Sequence, residues 1–167
     1  MSASNNWAYD GFHKGEANVE PSLRRLHDYV HAMEGYFQEF TNEERLNQLP
    51  GKWSRQEILG HLIDSAINNL KRFTEIQFLP QPYRVIPYSQ ENLVVTNNYQ
   101  HLPLSHLLTL WKALNQQIIY VADHIPKDKL DFPVDPGYQN KEIKTLGWII
   151  CDYVAHLEHH LAQIRNK

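Results

Sequence analysis

The chain has 167 residues, 42% apolar and 21% charged, with a net charge of -3 when histidine is neutral; this suits one soluble globular domain with a continuous core. That charge gives no electrostatic reason to expect nucleic acid or an anionic membrane as partner, and no apolar run approaches the ~18 residues of a membrane span. Cys151 is the only cysteine, which excludes an intrachain disulfide and a cysteine-based zinc cluster, and the start of the chain lacks the basic and apolar regions of a secretory signal, so a reducing, cytoplasmic location is expected.

Residues 1–19 are polar and without periodicity and read as an N-terminal arm, with Trp7, Tyr9 and Phe12 available to pack onto the body. A first helix is expected from about Pro21, a residue favoured in the first turn, with Leu23, Leu26, Val30, Met33, Phe37 and Phe40 recurring at steps of three and four. Thr41 to Trp53 reads as a connector. Ser54 and Glu57 form a capping box that opens a second helix. Its apolar surface of Ile58, Leu59, Leu62, Ile63, Ala66, Ile67, Leu70 and Phe73 is wide enough to meet more than one neighbour.

Residues 80–103 contain Pro80, Pro82, Pro87 and Pro103 and read as a long crossing loop, a feature that often carries function. A third helix is expected over about 104–124, with Leu107, Leu108, Trp111, Leu114, Ile118 and Val121 as its stripe. Phe132 to Gly137 reads as another loop. Thr145 can cap a fourth helix whose stripe is Leu146, Ile150, Tyr153, Leu157, His160 and Ile164. Four periodic segments and no alternating strand predict an all-α fold, a four-helix bundle over residues 20–167.

The ten histidines then divide. His156 and His160 stand one turn apart on the face that carries Ile149, Tyr153 and Ile164, so two imidazoles project from the buried side and can grip one metal ion. Buried imidazoles need a partner for each nitrogen, and hydrogen-bonded core histidines would also satisfy the pattern. His27 and His31 have the same spacing, but Arg24, Asp28 and Glu34 surround them, which reads as a solvated face. His13, His101 and His106 fall in or beside loops, His124 at a helix C-terminus, and His159 off the stripe. His61 lies in an otherwise apolar helix, where Asp64, Ser65 and Asn68 extend a polar seam; such a seam lines a site between helices or forms an exposed strip.

Gly51-Lys52-Trp53-Ser54-Arg55-Gln56-Glu57-Ile58-Leu59-Gly60-His61-Leu62-Ile63-Asp64-Ser65 resembles the start of the second helix in the DinB-like superfamily, particularly its YfiT-like branch. Tyr153 to Ile164 resembles that family's terminal helix. The resemblance implies an up-down-down-up four-helix bundle, a homodimer, and a divalent metal, zinc or nickel first, with iron or manganese also suited. The ligands it implies are His61, His156 and His160. It further implies a small-molecule substrate, since characterised relatives are transferases and isomerases that use thiols such as bacillithiol or mycothiol. The segment Ile86 to Asn92 is similar to the family's loop after the second helix, with Ser89 where an acidic residue is often found.

Three neutral imidazoles leave an ion its full charge and an open position, as in catalytic rather than structural zinc sites. Such an ion activates a thiol, giving an S-transferase, or water, giving a hydrolase; a non-catalytic metal-binding module is the third reading. Asp64 or Asp152 can accept the second ring N–H of a neighbouring histidine, and Asp64 can instead take a proton as a catalytic base. Tyr88 and Glu91 can reach over the site from the crossing loop. Cys151 reads as a packed helix residue, since nothing basic in the local sequence lowers its pKa.

Overall fold

The computed structural model describes residues 18–137 and 142–166, so the expected arm, with Trp7, Tyr9, Phe12 and His13, lies almost wholly outside the described residues. Four long helices carry the fold: α1 (Val19–Gln38), α3 (Arg55–Glu75), α5 (Leu104–Asp123) and α6 (Leu146–Asn166), with two short ones, α2 (Asn42–Leu46) and α4 (Gln90–Thr96), in the connections. Each long helix packs chiefly on two others: α1 and α3 both lie against α5 and α6. The connections from α1 to α3 and from α5 to α6 cross the bundle, and the long crossing segment joins the neighbours α3 and α5, as in the expected up-down-down-up four-helix bundle.

The apolar stripes meet in one core. Leu23, Leu26, Val30, Met33 and Phe37 from α1 pack with Leu59, Leu62 and Ile63 from α3, Trp111 and Ile118 from α5, and Leu146, Ile150, Leu157 and Ile164 from α6. The α3 capping box forms as expected: the Glu57 amide donates to Ser54 Oγ at 3.0 Å and the Ser54 amide to Glu57 Oε2 at 2.7 Å. Thr145 caps α6 by accepting from the Trp148 amide at 3.2 Å.

Three details depart from the sequence expectation. The connector after α1 contains α2, started by a capping box between Thr41 and Glu44. The α5 stripe is rotated: Asn115, Ile119 and Ala122 are buried, while Leu108, Leu114 and Val121 lie partly exposed. Asn115 is tolerated inside because its amide donates to the Trp111 carbonyl and its Oδ1 accepts from the Tyr153 hydroxyl, so its polar atoms are satisfied. Finally, a small sheet forms where loops were expected. Strand β1 (Tyr83–Arg84) pairs parallel with β2 (Pro133–Asp135), which pairs antiparallel with β3 (Lys144–Thr145). Strands of two or three residues are too short to show alternation in sequence.

The sheet and α4 organise the crossing segment. Gln56, buried at the start of α3, donates to the carbonyls of Tyr99 and Leu102 at 2.6 and 3.0 Å. At its other side, Val85 N donates to the Asp135 carbonyl at 2.9 Å. These ties hold residues 85–90 over the gap between α3 and α6.

Candidate metal centre

Helix α3 contributes His61, and α6 contributes His156 and His160. The Nε2 atom of His156 lies 3.2 Å from Nε2 of His61 and 3.1 Å from Nε2 of His160. One ring nitrogen from each of the three falls within 4.8 Å of the others, and no cysteine, aspartate or glutamate joins the group among the described residues. His61 is fully buried and His160 nearly so; His156 is half-buried. Trp53 covers His61, ring to ring at 4.9 Å.

Burial sets the charge state. Desolvation, with help from the His160 imidazole, lowers the His61 pKa to about 3. His160 falls to about 4 through desolvation, partly offset by its bond to Gln163. His156 is pushed well below the usual imidazole value by desolvation and then by the other histidines. All three are therefore neutral at pH 7, the form that ligates metal.

The hydrogen-bond pattern also suits a cation. His160 Nδ1 lies 2.9 Å from Gln163 Oε1, which can only accept, so Nδ1 carries the proton and Nε2 presents a lone pair. Gln163 Nε2 in turn donates to His159 Nε2 at 3.0 Å, which fixes the amide's orientation. A single proton on His156 Nε2 can serve only one of its two Nε2 neighbours, whereas one cation between them serves every lone pair. Tetrahedral zinc with bonds of about 2.0–2.1 Å places its ligand nitrogens roughly 3.3 Å apart, close to the separations seen.

The other histidines divide as the sequence suggested. His27 and His31 approach to 3.3 Å between Nε2 atoms, yet both are exposed, as are His101, His106, His124 and His159. The polar seam of α3, in contrast, runs differently. From His61 it continues through Ser65, Asn69 and Arg72, not through Asp64 and Asn68. Ser65, Asn69 and Arg72 line a pocket of about 190 Å³ that reaches His156, with Asp152, Tyr88 and Gln90 on its other walls.

Asp64 takes no part in the cluster or the pocket lining. It is buried, and its Oδ1 accepts from the Tyr99 hydroxyl at 2.6 Å and the Asn97 amide at 3.0 Å. Burial raises its pKa and those two bonds oppose the rise; it anchors the crossing segment. The ring Nδ1 of His61 is buried without a hydrogen-bond partner, so the expected bond to Asp64 does not form. Tyr88 does reach the pocket, while Glu91 is exposed. Cys151 is buried and its thiol pKa is raised by desolvation, as suits a packing residue. Trp53 and Gln163 escaped the sequence reading, although Gln163 is three residues beyond His160 and so its neighbour on the helix surface.

Asp152 gives a test of the pocket's polarity. Desolvation raises its pKa to about 6 against the pull of Arg72 and Lys144. A folded-state pKa above the unfolded value of about 3.9 means full stability below pH 4 and loss as pH rises through 6. Asp152→Asn should therefore melt higher than the wild type at pH 8 and alike at pH 4. A melting difference independent of pH between these limits would contradict this assignment.

The fold and the cluster together define a helical bundle built around three convergent imidazoles. The chain belongs to the DinB superfamily, whose family model matches residues 25–164. Among solved structures it is similar to YfiT from Bacillus subtilis, described as a probable metal-dependent hydrolase with an unusual four-helix bundle topology. The likeness has a TM-score of 0.81 at 19% identity and covers 92% of this chain and 87% of YfiT. No curated protein matches the chain.

Proposed function

We propose that this protein is a metal-dependent enzyme in which His61, His156 and His160 hold one divalent ion, and in which a low-molecular-weight thiol is activated for transfer to a small electrophile. The observation that carries the metal reading is the convergence of three neutral Nε2 atoms with no fourth histidine, cysteine, aspartate or glutamate joining them among the described residues. A divalent ion so held lowers the pKa of a thiol or water that reaches it and supplies a nucleophile at neutral pH. The protein's own part is to keep the imidazoles neutral by burial, to orient His160 through Gln163, and to offer a pocket that opens at His156. Hydrolysis is the second reading, favoured by the description of YfiT as a probable metal-dependent hydrolase.

Metal analysis of protein purified without chelator should find about one divalent ion per chain, as one three-histidine site predicts. The His61→Ala and His160→Ala variants should each lose it. Full retention in either one would sink the reading. Thiol conjugation to an epoxide, assayed beside ester hydrolysis with and without metal, then separates transferase from hydrolase.

A further inference from the structure

The pocket beside the histidines holds two opposite charges that do not meet. Arg72 lies three turns beyond His61, roughly 16 Å along the axis of α3. Its Nη1 donates to Asn69 Oδ1 and its Nη2 to the Ile86 carbonyl, each at 3.3 Å, and the Tyr88 ring centre lies 5.7 Å from its guanidinium carbon. Every one of these partners is uncharged. Among the described residues no carboxylate comes within 4.0 Å of Arg72, and no cationic side chain comes that close to Asp152 on the α6 wall. Both residues line the same pocket.

A half-buried guanidinium with no carboxylate in direct contact has given up part of its hydration with little in return. Its long neutral hydrogen bonds leave the planar donor edge available for a bidentate acceptor. We infer that Arg72 binds a carboxylate on the substrate, so that the acid is recognised at one end of the pocket and the reacting group is presented at His156. The orientation of the substrate rests on the metal reading above; the carboxylate site itself does not. A volume of about 190 Å³ equals about six waters at ~30 Å³ each and falls below the 300–1,000 Å³ typical of drug-sized ligands. The fitting ligand is a short carboxylic acid or the acidic end of a longer molecule. Asp152, across the pocket, suits an N–H or O–H donor on the same ligand and disfavours a second acid beside it.

The test uses metal-free full-length protein at low salt, with 4-hydroxybutyrate as probe and its uncharged amide, 4-hydroxybutyramide, as control. The acid should bind, the amide about tenfold more weakly or not at all, and the Arg72 Nε–H resonance should shift as the acid is added. Arg72→Gln should lose about tenfold in 4-hydroxybutyrate affinity, as expected when a charge-assisted bidentate pair is removed. Arg24→Gln, the same charge change on the exposed face of α1, should bind like the wild type. The inference is overturned if 4-hydroxybutyrate does not bind, if the amide binds equally well, or if the Arg72 resonance stays still on saturation. The resonance decides the matter even if Arg72→Gln folds poorly. Since no metal is present, this outcome and the metal analysis succeed or fail separately.

Discussion

Adding zinc to the metal-free protein should raise its melting temperature by about 8–16 °C once free zinc exceeds its Kd about a thousandfold. Binding to the folded state alone contributes about 4 kcal/mol under that condition, and a domain of this size shifts by about 2–4 °C per kcal/mol. The protein reaches this result because its site is prepared before the ion arrives. Three neutral imidazoles already converge, with Nε2 atoms 3.1 and 3.2 Å apart. His160→Ala should abolish the shift. Gln163→Ala should keep a smaller one, because losing the partner that fixes a ligand's tautomer typically costs about 10–100-fold in metal affinity. His27→Ala should leave the shift unchanged, since that pair is exposed and no third ligand joins it among the described residues. An undiminished shift in His160→Ala would remove the proposed site.

Protons compete with the metal over a window set by the same burial. With pKa values lowered to about 3 for His61 and about 4 for His160, both remain neutral well below the ordinary imidazole value of about 6.5. The folded protein should accordingly hold metal with little loss from pH 7 down to about 5. The fold itself responds differently. A lowered folded-state pKa means that the unfolded chain takes up protons first, so stability is full above pH 6.5 and declines as pH falls toward 4. Acid should unfold the metal-free protein over that range before it protonates the intact cluster.

The bundle was legible because its signals repeat: steps of three and four over twenty residues, a capping box at Ser54, prolines between helices. His160 was legible for the same reason, since it occupies a core position of an apolar stripe. The polar seam was harder. Residues at i+3 and i+4 from His61 both lie near it on a helix, and spacing alone cannot choose between Asp64 and Ser65. Tertiary contacts choose: Tyr99 and Asn97 claim Asp64, while Ser65, Asn69 and Arg72 face the pocket. Apart from α6, the pocket's remaining walls come from residues 85–90 and 136, far apart in sequence and held by β1–β2 pairing. Long-range pairing of two-residue strands leaves no periodic trace.

Gly60→Ala should be among the most damaging single substitutions, although alanine is the better helix former by about 1 kcal/mol. Gly60 lies on α3 immediately before His61, and the Tyr99 side chain passes directly over it. A methyl group there would lie 2.6 Å from Tyr99 Cβ and closer still to its ring carbons. The ring cannot simply swing away, because its hydroxyl is bonded to Asp64 and Asn97 and its carbonyl to Gln56. Overpacking of this kind costs about 3 kcal/mol net, a fall in melting temperature of about 6–12 °C. Tyr99→Ala should recover only part of that loss in the double variant, since it removes the ring contacts but keeps the offending Cβ. The strain also has a direction. Relief requires α3 to move away from the crossing segment, carrying His61 with it. Zinc affinity should therefore fall in Gly60→Ala even under conditions where the variant is fully folded. Wild-type stability in Gly60→Ala would show that the Tyr99 turn yields freely and is not what positions His61.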